Sequence, residues 1–498
     1  MKLTARADLL RGRGLTLATL ADRLAEIHGD RPLVEQAGDP AVHLTYREAA
    51  VQVARWSGAV AARTEPGERV VVALPNGIGF LLACLAVARA GTVPVPVNDR
   101  MRSDEVEHVV TDSGATVVLR DEADLEGSEP LATPAEVDAG DVAALFYTSG
   151  TTGKPKGARL THRALVGSLG SAALYPTGLR RDEAVLALPV AHIMGFVALL
   201  SVAALGVPVY LLPKFDAEAV LDAIEQRRAT MFVGVPSMYR MLLEAGAEQR
   251  DLRSIRVFGS GADVMPPELS KRFKAMGATA TVLGRSVGQA AFVEGYGLVE
   301  TGGGAAVRFS PPGFELPFAS TLGFPLPGYH FRVVDDGGAE VSPGTVGQLL
   351  VRGPGVLDGY HGDEAATSAA LTEDGWLRTG DLARRGPMGT VAFAGRAKDV
   401  VKVGGYSVFS VEVERAIEEH PDVLEAAVVG LPDEKMGEVP AAVVRLRPGA
   451  EVDGESLVAW VAERVAPYKA PRRVVVVDEL PRTGTSKVQK NELRDLFT

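Results

Sequence analysis

Residues Phe146 to Gly157 read Phe-Tyr-Thr-Ser-Gly-Thr-Thr-Gly-Lys-Pro-Lys-Gly and follow the apolar run Val142-Ala-Ala-Leu-Phe146. Three glycines, four aliphatic hydroxyls and two lysines stand together in this short stretch, a set of residue types suited to anions. Glycine lets the backbone take positive φ and approach an anion closely, hydroxyls and main-chain amides are neutral donors, and lysine adds a point charge. The stretch therefore reads as a phosphate cradle behind a strand, formed by Thr148, Ser149, Gly150, Thr151, Thr152, Gly153 and Lys154. It is not a Walker A loop, which spaces its glycines more widely and follows its lysine with Ser or Thr; here Lys154 precedes Pro155.

The elements that must position such a loop are legible in the surrounding pattern. The chain has 498 residues, 46% apolar and 23% charged, too long for one ordinary core and so divided into a large α/β body and a smaller appendage. Short apolar runs at Arg69–Leu74, Ala115–Leu119, Ala184–Leu188 and Met231–Val235 alternate with helical patterns such as Ile78–Ala90 and Ala217–Arg228, which predicts a sheet covered by helices on both faces. Thr92–Val97 carries prolines and is expected at a sheet edge. Phe196–Leu212 is the nearest approach to a membrane span, but Ser201, Gly206 and Pro208 interrupt it; it predicts a buried helix, a stop at Gly206 and a strand Val207–Leu212. From Gly323 onward short β segments and turns take over, Ala394–Asp399 reads as a linker, and Val411–Thr498 reads as a small α+β domain. The expected division is a body 1–394, a hinge 395–400 and a C-terminal lid domain 401–498. A net charge of −11 argues against nucleic acid as the main partner. The single cysteine, Cys84, excludes an internal disulfide and, with no secretory signal, points to the cytoplasm.

The order of the Phe146–Gly157 stretch resembles the signature loop of the acyl-adenylate-forming enzymes, the superfamily of acyl-CoA synthetases, luciferases and peptide-synthetase adenylation domains. The resemblance runs from Leu44-Thr-Tyr-Arg-Glu-Ala49 to Leu480-Pro-Arg-Thr-Gly-Thr-Ser-Lys487. It implies ATP and Mg²⁺ as cofactors, CoA as co-substrate, and the following roles. In Gly295-Tyr-Gly-Leu-Val-Glu300, Tyr296 stacks on adenine beside Gly297, and Glu300 holds Mg²⁺, a hard cation that prefers carboxylate oxygen. The small residues of Phe258-Gly-Ser-Gly-Ala262, Gly261 and Ala262 among them, let adenine lie against the backbone. Asp381 and Arg396 contact the ribose, Lys398 sits at the hinge, and Gly405 approaches the pantetheine arm. Lys487 bridges the attacking carboxylate and the α-phosphate. His192, in Leu188-Pro-Val-Ala-His-Ile-Met-Gly-Phe196, gates the carboxylate end of the acyl pocket.

Several positions depart from the family pattern. Val299 stands where threonine is usual, so that hydroxyl contact is missing or passes to Thr301; Ser410 replaces a proline and Ser486 a glycine. Lys490 is an alternative to Lys487 that fits the pattern less well. The segment Ala278–Val287 is longer than the resemblance leads one to expect, and it is placed at the acyl entrance. Phe196, Val233, Val235, Met238 and Gly302 to Ala306 are expected pocket walls, and Arg240 is read as a solvated helix residue rather than a second carboxylate ligand. The expected activity is that of an ATP-dependent acid–CoA ligase for a medium- or long-chain fatty acid. The alternatives are a malonate or aromatic acid ligase, delivery to an acyl carrier protein, and a catalytically weak binding protein. No carrier-domain serine motif follows Thr498, which favours a free-standing ligase.

Overall fold

The computed structural model describes residues 15–148, 155–167, 169, 181–282, 285–314, 321–482 and 488–497. It divides into two compact units. The first comprises 1–319, 323–330 and 351–377; the second comprises 320–322, 331–350 and 378–498. Residues 378–394, expected with the large body, cluster with the second unit. The reason is local: Leu377–Arg385 and Val391–Arg396 pair antiparallel, so a boundary at 394 would cut one hairpin. In this pairing Gly395 and Arg396 end a strand, and Ala397–Asp399 forms a 3₁₀ turn.

In the first unit the main sheet has nine strands among the described residues. Six run parallel, in the order Ala291–Tyr296, Val257–Ser260, Met231–Gly234, Ala184–Leu186, Val209–Leu211 and Pro32–Gln36, with antiparallel strands at both ends. Helices cover both faces, so successive residues of one strand enter different cores. Ala184, Leu186 and Met231 join the larger core, whereas Val185, Phe232, Phe258 and Phe292 join the second. Continuous apolar runs, rather than alternating ones, are the sequence consequence of burial on both faces.

The helix Ile193–Leu205 occupies the larger core, which explains its membrane-like composition; Gly206 ends it at φ 72° and the strand Val209–Leu211 follows, as expected. No helix among the described residues is long and apolar enough to cross a membrane. In the second core Tyr239 is fully buried, with the rings of Phe273, Phe232, Phe292 and Phe258 centred 4.8, 5.4, 5.6 and 6.2 Å away. Its hydroxyl donates to the Gly259 carbonyl at 2.7 Å, tying the helix Pro236–Glu244 to the end of the Val257–Ser260 strand.

A separate three-stranded parallel sheet holds Arg69–Val72 between Val93–Pro96 and Val117–Leu119, so the proline-bearing strand is at an edge. Val142–Thr148 and Lys156–Thr161 form an antiparallel pair. The segment Ala278–Val287 forms a hairpin of Ala280–Val282 with Arg285–Val287, and Val282 and Val287 are exposed on it.

The second unit carries a five-stranded sheet in which Gly437–Leu446 pairs with Val400–Val403, Val423–Asp433 and Arg473–Val476. The helices Ser410–Glu418 and Gly454–Ala462 pack their apolar sides onto it through Val413, Ile417, Leu457 and Val461.

Two outcomes follow from this packing. Tyr239→Phe removes the hydrogen bond to Gly259 and keeps the ring, so urea unfolding should show a loss of about 1 kcal/mol, against roughly 3–5 kcal/mol for Tyr239→Ala, which leaves a cavity. His162 is buried and its Nδ1 accepts the Leu17 N–H at 3.0 Å, and burial pushes the imidazole down from 6.5 to about 4. The unfolded chain therefore takes up this proton first. The stability is full above pH 6.5 and falls as pH drops toward 4, by at most about 1.4 kcal/mol per pH unit. His162→Asn, which keeps an acceptor for Leu17, should flatten that slope in a pH series of urea melts.

Candidate active site

Thr148 and Lys156 stand opposite each other at the ends of two antiparallel strands, which brackets the phosphate loop. Ser149, Gly150, Thr151, Thr152, Gly153 and Lys154 lie outside the described residues. A strand rather than a helix follows the loop, and the helix His162–Val166 begins only after it. Lys156 Nζ is 3.0 Å from Asp363 and 6.0 Å from the centre of the Tyr360 ring. The Tyr360 hydroxyl donates to Glu300 Oε1 at 2.9 Å. Burial first, and then the Glu300 charge, push the Tyr360 phenol well above its ordinary range, so it remains a donor.

Glu300 lies on the 3₁₀ turn Val299–Thr301, directly after the strand that ends at Tyr296. Gly297 is required in between: a Cβ there would sit 2.5 Å from the Gly303 carbonyl oxygen. Gly302 closes the turn at φ 64°. The Leu357 N–H donates to the Glu300 carbonyl at 2.9 Å and the Tyr329 hydroxyl to the Thr301 carbonyl at 3.0 Å, so the turn's backbone is held from outside.

Thr301 does not take over the role of the missing threonine. Its side chain is fully buried, and its hydroxyl accepts from Leu298 N at 2.8 Å and donates to Leu298 O at 3.0 Å. Val299 packs against the larger core, an apolar use of the position. Among the described residues no three His, Cys, Asp or Glu side chains are grouped to hold a metal. Glu300 Oε2 also has no hydrogen-bond or ion-pair partner among them, since only Oε1 is engaged. One available carboxylate oxygen fits Mg²⁺, which keeps waters and substrate phosphates and needs few protein ligands.

Across the neighbouring strand, Ser260 pairs with Glu294, and the chain then turns through Gly261 and Ala262. A Cβ at Gly261 would come 3.2 Å from the Gly295 carbonyl oxygen, so the small residue keeps the backbones of the two segments close. Ala262 takes φ 66°, a left-handed conformation that is uncommon for a residue with a Cβ. His192 caps the helix Ile193–Leu205, its Nδ1 accepting the Met194 N–H at 3.3 Å. That bond places the proton of a neutral imidazole on Nε2. Met194 packs with Leu188, Val233, Val235, Met238 and Ala262, an apolar group that includes three expected walls. Phe196 is not with them: it is fully buried in the larger core, edge-on to Phe146 at 5.4 Å, because it lies on the helix face turned to that core. Arg240 is buried rather than solvated, on the side of its helix that also buries Met238, Tyr239 and Leu242.

The second unit holds the remaining candidates. Asp381 and Arg396 are direct cross-strand neighbours, with Arg396 Nε 3.2 Å from Asp381 Oδ1, and Asp381 is buried while Arg396 is partly exposed. Lys398 is exposed on the Ala397–Asp399 turn. Gly404 and Gly405, at φ 55° and 88°, form the two-residue turn joining Val400–Val403 to Tyr406–Phe409, a geometry that itself demands glycine. A Cβ on Gly405 would meet nothing within 4 Å in this arrangement. Ser410 is buried at the start of its helix and accepts from Lys490 Nζ at 2.9 Å, and Lys490 also pairs with Glu414. Lys490 is thereby occupied in packing. Lys487 and Ser486 lie outside the described residues. Tyr360, Lys156 and Met194 complete the arrangement. The first two come together only because distant strands pair, and no spacing rule marks Tyr360.

Comparison with known proteins identifies the family. The AMP-binding enzyme family profile matches residues 21–361, and the AMP-binding enzyme C-terminal domain profile matches residues 412–487. The chain is 36% identical over 480 residues to a feruloyl-CoA synthase of Amycolatopsis sp, covering 91% of this chain and 94% of that protein. ATP-bound MatB from Rhodopseudomonas palustris superposes with a TM-score of 0.83 at 30% identity, covering 96% of this chain and 99% of that one. The o-succinylbenzoate CoA synthetase MenE from Bacillus subtilis, holding its acyl-adenylate intermediate OSB-AMP, gives 0.82 at 28% identity, with 96% and 98% covered. The same enzyme is also known with ATP and a magnesium ion. With one profile spanning most of the larger unit and relatives matching nearly end to end, this chain belongs to the AMP-binding enzyme family.

Proposed function

We propose that the chain is an AMP-forming acid–CoA ligase whose acid is aromatic. The acid's carboxylate attacks the α-phosphorus of ATP, the bond to the β-phosphate breaks, and pyrophosphate leaves. The CoA thiol then gives up its proton and attacks the acyl carbon, AMP departs, and a thioester remains. Acid–CoA ligation is the activity named for the feruloyl-CoA synthase and for an indoleacetate–CoA ligase of Aromatoleum aromaticum, and MatB is known with ATP bound. The aromatic preference replaces the fatty-acid expectation. The apolar group Leu188, Met194, Val233, Val235, Met238 and Ala262, gathered beside the Gly261–Ala262 turn and containing no charge, favours an apolar acid over a dicarboxylate, and the choice of an aromatic one rests on the relatives. A feruloyl-CoA synthase and an o-succinylbenzoate CoA synthetase among the relatives support it.

In this reading His192 stands at the carboxylate end of the acid, and Tyr296 with Gly297, Gly261 and Ala262 receives adenine. The phosphates fall to Thr148, Ser149, Gly150, Thr151, Thr152, Gly153 and Lys154. Glu300 would hold a magnesium ion, which supplies positive charge against the phosphate oxygens when bound. Asp381 with Arg396 takes the ribose, Lys487 offsets the charge gathered where carboxylate and α-phosphate meet, and Lys398 is the pivot of a lid that brings Gly405 to the thiol arm. The functional division follows the body 1–394, hinge 395–400 and lid 401–498.

The test is pyrophosphate release across ferulate, benzoate, indoleacetate, decanoate, palmitate and malonate, each with and without CoA. Aryl acids should drive release, acyl-CoA should appear only with CoA, and Lys487→Ala should slow adenylation by about 10²-fold or more. Release confined to the alkyl acids would remove the aromatic assignment, and adenylate formed without CoA consumption would redirect the thiol step to a carrier protein.

A further inference from the structure

We propose that Tyr360 is a positioning residue for the Glu300 carboxylate, holding Oε1 so that Oε2 is presented to the metal; the inference rests on Glu300 being the metal ligand. Three observations carry it. First, the phenol hydroxyl donates to Glu300 Oε1 at 2.9 Å, and among the described residues Oε2 has no partner. A carboxylate on a turn can otherwise rotate; a hydrogen bond to one oxygen selects which lone pairs face the site.

Second, the main chain of the same segment holds the main chain of the same glutamate: the Leu357 N–H donates to the Glu300 carbonyl at 2.9 Å. Residues 357–360 thus grip Glu300 at its backbone and at its side chain.

Third, this segment is fastened to the strand that leaves the phosphate loop. Arg159 N donates to Gly359 O at 2.9 Å, Asp358 N to Arg159 O at 2.9 Å and His361 N to Gly157 O at 2.7 Å, with Tyr360 bridged to Ala158. The Tyr360 N–H is held by Thr367 Oγ1 at 2.9 Å. Lys156, at the start of that strand, lies over the Tyr360 ring at 6.0 Å and is paired with Asp363 at 3.0 Å. Tyr360 therefore joins the base of the phosphate loop to the carboxylate within one unit of the fold. Its ring packs against the larger core while its hydroxyl alone reaches Glu300, so ring and hydroxyl have separable duties.

The experiment measures Mn²⁺ binding by electron paramagnetic resonance, on full-length protein saturated with a non-hydrolysable ATP analogue. Analogue affinity in EDTA and the Tm are measured alongside. Tyr360→Phe should raise the Mn²⁺ Kd about tenfold, with metal-free nucleotide affinity and Tm unchanged. Glu300→Gln should weaken Mn²⁺ at least as much, and the double variant no further. If Tyr360→Phe binds Mn²⁺ like the native protein while Glu300→Gln does not, the positioning role is overturned and the metal assignment stands. If neither variant alters Mn²⁺ affinity, Glu300 is not the ligand and both fall. A lower Tm with native Mn²⁺ affinity assigns Tyr360 to packing and overturns the proposal. Should Tyr360→Phe fail to fold, Glu300→Asp, which withdraws the carboxylate from the phenol by one methylene, must show the same weakening; native affinity there also overturns it.

Discussion

Burial of the central parallel strands on both faces governs the larger unit. Phe232, Phe258 and Phe292 project into one core while Ala184, Leu186 and Met231 project into the other, so neither face of the sheet has room for a polar site. Polar chemistry is confined to the carboxyl ends of the strands, where open α/β sheets bind ligands. There the candidates collect: Gly261 and Ala262 after Val257–Ser260, Tyr296 at the end of Ala291–Tyr296, and Glu300 on the turn beyond. Tyr239 shows how the core sets their height, since its hydroxyl joins the aromatic cluster to the Gly259 carbonyl just before the Gly261–Ala262 turn.

The departures from the family pattern have structural accounts. Val299 feeds the core, and Thr301 spends its hydroxyl closing its own turn. The threonine-to-valine change therefore leaves the carboxylate turn intact while removing one polar contact. Ser410 in place of proline gains a partner in Lys490, whose ammonium also pairs with Glu414. Gly405 is fixed by its hairpin, which requires positive φ there, and a Cβ on it would meet nothing within 4 Å.

The phosphate loop gains its meaning from the strands on either side. Thr148 and Lys156 face each other across an antiparallel pair, so the segment between them joins strand to strand rather than strand to helix. Lysine at its exit is drawn toward Asp363 and Tyr360, which brings a segment two hundred residues onward into the same neighbourhood.

Much of this was legible in the residues. Apolar runs broken by helical patterns announced the covered sheet, the Gly206 stop explained a stretch that looked like a membrane span, and the loop's glycines, hydroxyls and lysines named an anion before any fold was known. Local chemistry suffices for the covered sheet and the helix stop because each property belongs to a few consecutive residues, whereas the anion-binding reading of the loop remains a proposal. Other features had no local signature. The hairpin across 394, the burial of Arg240, the removal of Phe196 from the pocket and the Tyr360–Glu300 bond depend on which strands pair and which helix face meets which core. Those choices are made by contacts between residues far apart in sequence, whose free energies exist only once the sheet has closed its order, and so only the tertiary structure decided them.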